Sequence, residues 1–74
     1  MKLGENISKY RKQKNLTQEA FADALNVSRQ TVYKWEASLS KPKLDKLKQI
    51  IELLEITYED LLGWRRSIVW KTMF

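Results

Sequence analysis

Apolar residues recur along this chain every three or four positions, the period of helices with one buried face. Leu3, Ile7 and Tyr10 share one stripe, with Lys2, Glu5, Lys9 and Lys12 elsewhere. This predicts a first helix over roughly Leu3–Lys14, with Arg11 at the border of its apolar face and Leu16 packing inward behind it. Thr17 suits an N-cap, because its hydroxyl can accept from a free backbone N–H, and Glu19 suits the positive end of the helix dipole. Ala20, Phe21, Ala24 and Leu25 are expected to form the buried face of the second helix. Asn26 tolerates the left-handed conformation that ends a helix. Val27 is then an apolar plug and Ser28 a new N-cap. A third helix from Arg29 to about Ala37 places Val32, Trp35 and Glu36 on one side. Gln30, Tyr33, Lys34 and Ala37 fall on the other, flanked by Arg29 and Thr31.

Ser38 to Lys43 reads as a loop closed by Pro42. Leu44, Leu47, Ile50, Ile51 and Leu54 trace the stripe of a fourth helix. Thr57-Tyr58-Glu59-Asp60 fits a capping box opening a short fifth helix, with Leu61 and Leu62 inside and Gly63 as its stop. Only 2 Gly and 1 Pro interrupt the chain, which favours helices joined by short turns over strands. The prediction is an all-α bundle of about five helices spanning residues 1–63. Residues 64–74 break the pattern. There Trp64, Ile68, Val69, Trp70, Met73 and Phe74 mix with Arg65, Arg66 and Lys71 in a basic-aromatic extension.

Composition narrows the chemistry. With 74 residues the chain is one small domain with a thin core. It contains no Cys and no His. Thiolate zinc sites, thiol nucleophiles, the commonest metal ligand and the commonest general base are all missing, so neither an enzyme, a metal site nor a cofactor is expected. The net charge of +5 points to an anionic partner. Its distribution says more. Residues 1–48 hold 11 basic and 5 acidic side chains, residues 49–62 hold 4 acidic and none basic, and residues 63–74 hold 3 basic and none acidic. No secretory leader is visible between Met1 and Lys14, and no run approaches the ~20 apolar residues of a membrane span. A cytoplasmic location is therefore the expectation.

Two helices separated by about three residues have the spacing of a helix-turn-helix unit. The segments Leu16-Thr17-Gln18-Glu19-Ala20-Phe21-Ala22 and Leu25-Asn26-Val27-Ser28-Arg29-Gln30-Thr31-Val32-Tyr33-Lys34-Trp35-Glu36, extended by Lys41-Pro42 and Leu44 to Leu62, resemble the phage-repressor and Cro-like (XRE-type) helix-turn-helix family. The resemblance covers about residues 3–63. It implies a lambda-repressor-like fold that binds operator DNA, usually as a homodimer, in a transcriptional regulator with repression the favoured mode. This chain departs from the family twice. Ser38 stands where Gly is common, which demands a strained backbone or a different loop. Lys43 stands where Ser, Thr or Asp commonly caps the next helix.

In a helix-turn-helix the second helix offers its N-terminal side chains to base edges in the major groove. Arg29 suits guanine, Gln30 adenine, and Lys34 guanine or a phosphate. The resemblance makes these three positions the family's base readers. Thr31 can meet a thymine methyl or a phosphate, and Tyr33 is an exposed aromatic near the groove. Gln18 and Ser28, at the two helix starts, and Ser40, Lys41 and Lys43, in the loop after helix 3, are expected on phosphates. Gln18 can also brace Gln30. Arg11 and Glu36 border apolar faces, and the family pairs the matching residues, so they are expected to form a structural ion pair. Trp35 reads as core. Lys9, Lys12 and Lys14 read as a solvated face of helix 1.

The extension 64–74 fits several roles: packing back on helices 1 and 5, a dimer contact, a membrane-surface anchor, or the edge of a longer protein. For the whole chain the competing function is a protein-interaction module, antitoxin-like or an adaptor, that reuses the fold. Outward-pointing Arg29, Gln30 and Lys34 favour DNA over that alternative.

Overall fold

The computed structural model describes residues 2–63, and residues 64–74, with their expected dimer or packing role, lie outside the described part. Five helices follow in order: α1 Leu3–Gln13, α2 Gln18–Leu25, α3 Arg29–Glu36, α4 Leu44–Leu54 and α5 Tyr58–Leu62. No strand occurs among the described residues. No helix there is long and apolar enough to cross a membrane.

Capping chemistry sets the starts. The Thr17 hydroxyl accepts from the Ala20 N–H at 3.0 Å, and the Ser28 hydroxyl accepts from the Thr31 N–H at 3.1 Å. Thr57 and Asp60 form a reciprocal capping box, each side chain accepting from the other's backbone N–H. Lys43 precedes α4 with no side-chain cap.

The helix ends share one device. Asn15, Asn26, Ser38 and Glu55 all adopt the left-handed conformation, with φ between 58° and 63°. The residue after each returns its N–H to a carbonyl five positions back: Leu16 to Arg11, Val27 to Ala22, Leu39 to Lys34 and Ile56 to Ile51. This Schellman geometry satisfies carbonyls that the helix leaves free, at the cost of Cβ strain in non-glycine residues. Ser38 therefore takes the strained-backbone option rather than a different loop. Gly63, at φ 79°, closes α5 without that cost.

The core is Ile7, Phe21, Ala22, Leu25, Val32, Trp35, Ile50, Leu54 and Leu61. Half-buried Leu3, Tyr10, Leu16, Val27, Leu47, Ile51, Leu53 and Ile56 pack around it. Three expected core positions are corrected. Ala20 and Ala24 are exposed, and the buried face of α2 is Phe21, Ala22 and Leu25. Phe21, the largest fully buried side chain, sets the rotation of the helix, which two alanines are too small to contest. Leu44 is also exposed, at 69%. The stripe of α4 engages from Leu47 onward, and Pro42 takes the buried place ahead of the helix. Leu62 is half-buried beside fully buried Leu61.

Polar cross-links fix the angles between helices. The Asn6 amide donates to the Leu61 carbonyl at 2.9 Å, tying α1 to α5. Lys46 donates to the Leu25 carbonyl at 2.7 Å, so α4 caps the end of α2 just before the turn. Gly4 lies against the end of α3. A Cβ built there would stand 2.5 Å from the Trp35 carbonyl oxygen and 2.9 Å from that of Glu36. Only a glycine lets α1 approach this closely.

Candidate nucleic-acid interface

The site begins with an ion pair beneath α3. Arg11 Nε donates to Glu36 Oε2 at 2.6 Å, and Nη2 donates to Oε1 at 3.1 Å. Its third donor, Nη1, reaches the Leu16 carbonyl at 2.7 Å. Both side chains are only 8% exposed. Gln18 Nε2 adds a donor to Glu36 Oε1 at 3.0 Å. One carboxylate at the end of α3 thus collects α1 and the first residue of α2, and its partner Arg11 adds the α1–α2 turn. A bidentate guanidinium–carboxylate contact is directional, so it fixes the rotation of α3 as well as its position.

That rotation decides what α3 shows. Val32 and Trp35 face the core, while Arg29, Gln30, Tyr33 and Lys34 are exposed, Tyr33 at 54%. Thr31 is half-buried, and its hydroxyl lies 2.9 Å from that of Ser28. Gln18, Arg29, Gln30 and Tyr33 line one hollow of about 370 Å³ between the start of α2 and the outer face of α3. Gln18 thus lines that hollow while its Nε2 donates to Glu36. Ser40, Lys41 and Lys43 are exposed in the loop after α3. The Ser40 N–H reaches the Lys34 carbonyl at 3.3 Å, which seats the loop on the end of α3. Ser40 and Lys41 share a small recess of about 120 Å³ with Leu3, Gly4, Trp35 and Ser38, away from the hollow of Arg29 and Gln30.

Among the described residues the two ion pairs are Arg11–Glu36 and Lys14–Glu55. Arg29, Lys34, Lys41 and Lys43 therefore have no carboxylate partner there, and their charge is available to an outside anion. A helix of 10–12 Å diameter with such a face matches a major groove ~12 Å wide.

A Helix-turn-helix family model matches residues 7–61, most of the chain. The chain belongs to this XRE-type helix-turn-helix family. It is 39% identical over 68 residues to the HTH-type transcriptional activator BcrR of Enterococcus faecalis, covering 92% of this chain and 33% of that protein. It is 33% identical over 63 residues to the cryptic phage CTXphi transcriptional repressor RstR of Vibrio cholerae, covering 85% and 56%. A solved transcriptional regulator from Listeria innocua superposes with a TM-score of 0.77 at 24% identity, covering 96% of this chain and 70% of that one. That match shows the shared all-helical fold. The chain spans a third to just over half of the curated relatives it resembles. Those relatives are named as transcription regulators, not as enzymes.

Two contributors to the helix-turn-helix site escaped the sequence reading. Gly4 and Lys46 act on backbone atoms far away in the chain, which no local pattern announces. Gln18 was legible as a helix start, but its bond to Glu36 depends on two helices meeting.

Proposed function

We propose that this helix-turn-helix domain reads a specific sequence in duplex DNA by laying α3 in the major groove. The observation that carries the reading is the exposed row of Arg29, Gln30, Tyr33 and Lys34 on a helix locked from behind by Arg11 and Glu36. Arg29 and Lys34 suit guanine edges and Gln30 an adenine edge, with Thr31 and Tyr33 flanking them. Gln18 and Ser28 at the helix starts, and Ser40, Lys41 and Lys43 in the following loop, hold the backbone on either side.

Residues 1–63 form the DNA-binding module, and the basic-aromatic extension 64–74 supplies a contact between two copies. A homodimer presents two recognition helices to half-sites about one helical turn, ~34 Å, apart. The reading places the protein in the cytoplasm as a regulator, with repression the favoured mode, because occupancy of an operator suffices for it. A reporter fused to a selected operator separates repression from activation by the sign of its response.

The test is selection from a random duplex pool across a salt series. A common motif and a steep negative log–log salt slope support the reading, and an unenriched pool refutes it. Within that assay Lys34→Ala relaxes preference at one base position. Lys41→Ala weakens all sequences about equally and makes the slope less negative by about one. The protein-interaction alternative predicts neither enrichment nor slope.

A further inference from the structure

Lys9 and Lys12 on α1 and Lys14 at its C-cap do not form one uniform solvated face. Lys14 turns to the far side and donates to Glu55 at 2.6 Å. Lys9 and Lys12 instead line an open hollow of about 470 Å³ between α1 and α3, together with Glu5, Ser8, Tyr33 and Ala37. Gln18 and Glu36 close its floor, and both are already committed to each other. Tyr33 and Gln18 also line the neighbouring hollow of Arg29 and Gln30. The two hollows therefore flank one tyrosine and form a continuous surface. Neither Lys9 nor Lys12 has a carboxylate within ion-pair distance among the described residues. Lys9 Nζ sits 5.2 Å above the Tyr10 ring, a contact weak enough to exchange for an anion.

We infer that Lys9 and Lys12 are phosphate contacts, which extend the DNA-binding surface from the helix-turn-helix onto α1. The inference rests on the DNA reading above. An α-helix with its side chains nearly fills the major groove, so the two phosphate backbones must run close along both flanks of α3. The flank on the Tyr33 side is the hollow that Lys9 and Lys12 line. These two residues lie three apart, with Cβ atoms ~5–6 Å from each other, and their long flexible stems let each take its own phosphate. Tyr33 packs between this flank and the base-reading row. Glu5, on the same stripe, opposes the strand and trims its affinity.

The experiment measures binding of the full chain to its selected duplex across a salt series, with circular dichroism confirming each variant's fold. Lys9→Gln/Lys12→Gln should make the log–log slope less negative by about 1–2 and weaken binding roughly ten- to fiftyfold near 0.1 M salt. The selected motif should stay the same, since phosphate contacts carry no direct sequence information. Glu5→Gln should strengthen binding, and Lys14→Gln should leave the slope alone. A double variant that is folded and keeps the wild-type slope overturns the assignment, and an acidic protein then becomes the better partner for this flank. If the wild type itself shows no motif and no slope, the DNA reading falls and this assignment falls with it.

Discussion

Replacing Glu36 with Gln removes one charge and hardly changes volume, so its effect isolates the ion pair beneath α3. Arg11 would keep its positive charge at a site only 8% exposed. Its Nη1 bond to Leu16 would survive, but Nε and Nη2 would face an amide with a single acceptor oxygen, which Gln18 also claims. Charge centres ~4 Å apart at an effective dielectric near 20 attract by about 4 kcal/mol. Stranding one partner of a buried pair costs ~3–5 kcal/mol by the same reasoning. For a domain of this size each kcal/mol moves the melting temperature by roughly 4–8 °C, so Glu36→Gln should lower it by roughly 12–40 °C. Thermal melting followed by far-ultraviolet circular dichroism measures this. Two controls sharpen it. Lys14–Glu55 has the same 2.6 Å separation, but its side chains are 37% and 75% exposed, so Glu55→Gln should leave the melting temperature nearly unchanged. Replacing Arg11 and Glu36 together by Met should be far milder than Glu36→Gln, because no charge is left unpaired. A drop below about 5 °C for Glu36→Gln, or a double variant as damaged as the single one, would refute the reasoning.

Further outcomes follow from the backbone and from one surface group. Gly4→Ala should destabilise by roughly 1–3 kcal/mol in urea denaturation, because the new methyl meets the Trp35 carbonyl at 2.5 Å, despite alanine's better helix propensity. Ser38→Gly should stabilise by roughly 0.5–1 kcal/mol, the left-handed strain at φ 63° outweighing the added freedom of glycine in the unfolded chain. The hydrogen bond from Lys14, reinforced by its charge, lowers the Glu55 pKa below 4.5. Its small stabilising contribution is thus present above the unfolded pKa and lost as pH falls through the lowered folded value. Carboxyl carbon NMR should show Glu55 titrating below the ordinary glutamate range in the wild type and returning toward it in Lys14→Gln, and identical titrations in the two proteins would count against the pairing.

Local chemistry made most of the elements legible before any packing was known. Thr17, Ser28 and Thr57 announce helix starts because a capping hydroxyl needs only the N–H three residues on. Asn26 and Gly63 announce ends because the left-handed turn is a property of one residue. Asn15 carries the same preference as Asn26 and ends α1 in the same way, whereas Glu55 takes the turn with no residue preference to announce it. Periodicity located Phe21, Leu25, Val32 and Trp35 in the core but misjudged Ala20, Ala24 and Leu44, because small residues and terminal turns do not set a helix's rotation.

The candidate interface divides the same way. The residue types on the outer face of α3 follow from helical spacing alone, so Arg29, Gln30, Tyr33 and Lys34 were visible in sequence. That Arg11 and Glu36 matter was suggested by their place at the edge of apolar stripes and by family resemblance. Their bidentate geometry, the third donor to Leu16 and the recruitment of Gln18 required the helices to meet. The same is true of Gly4, and of the parting of Lys9 and Lys12 from Lys14 along α1 and its C-cap. Sequence by itself determined the helix starts at Thr17, Ser28 and Thr57, most of the inward-facing positions and the basic, polar character of the outer face, because those depend on neighbours within a turn or two. Only the tertiary structure decided how α3 is aimed and which lysines share its flank. Those relations are set by contacts between residues 18 to 55 positions apart, and no local pattern encodes them.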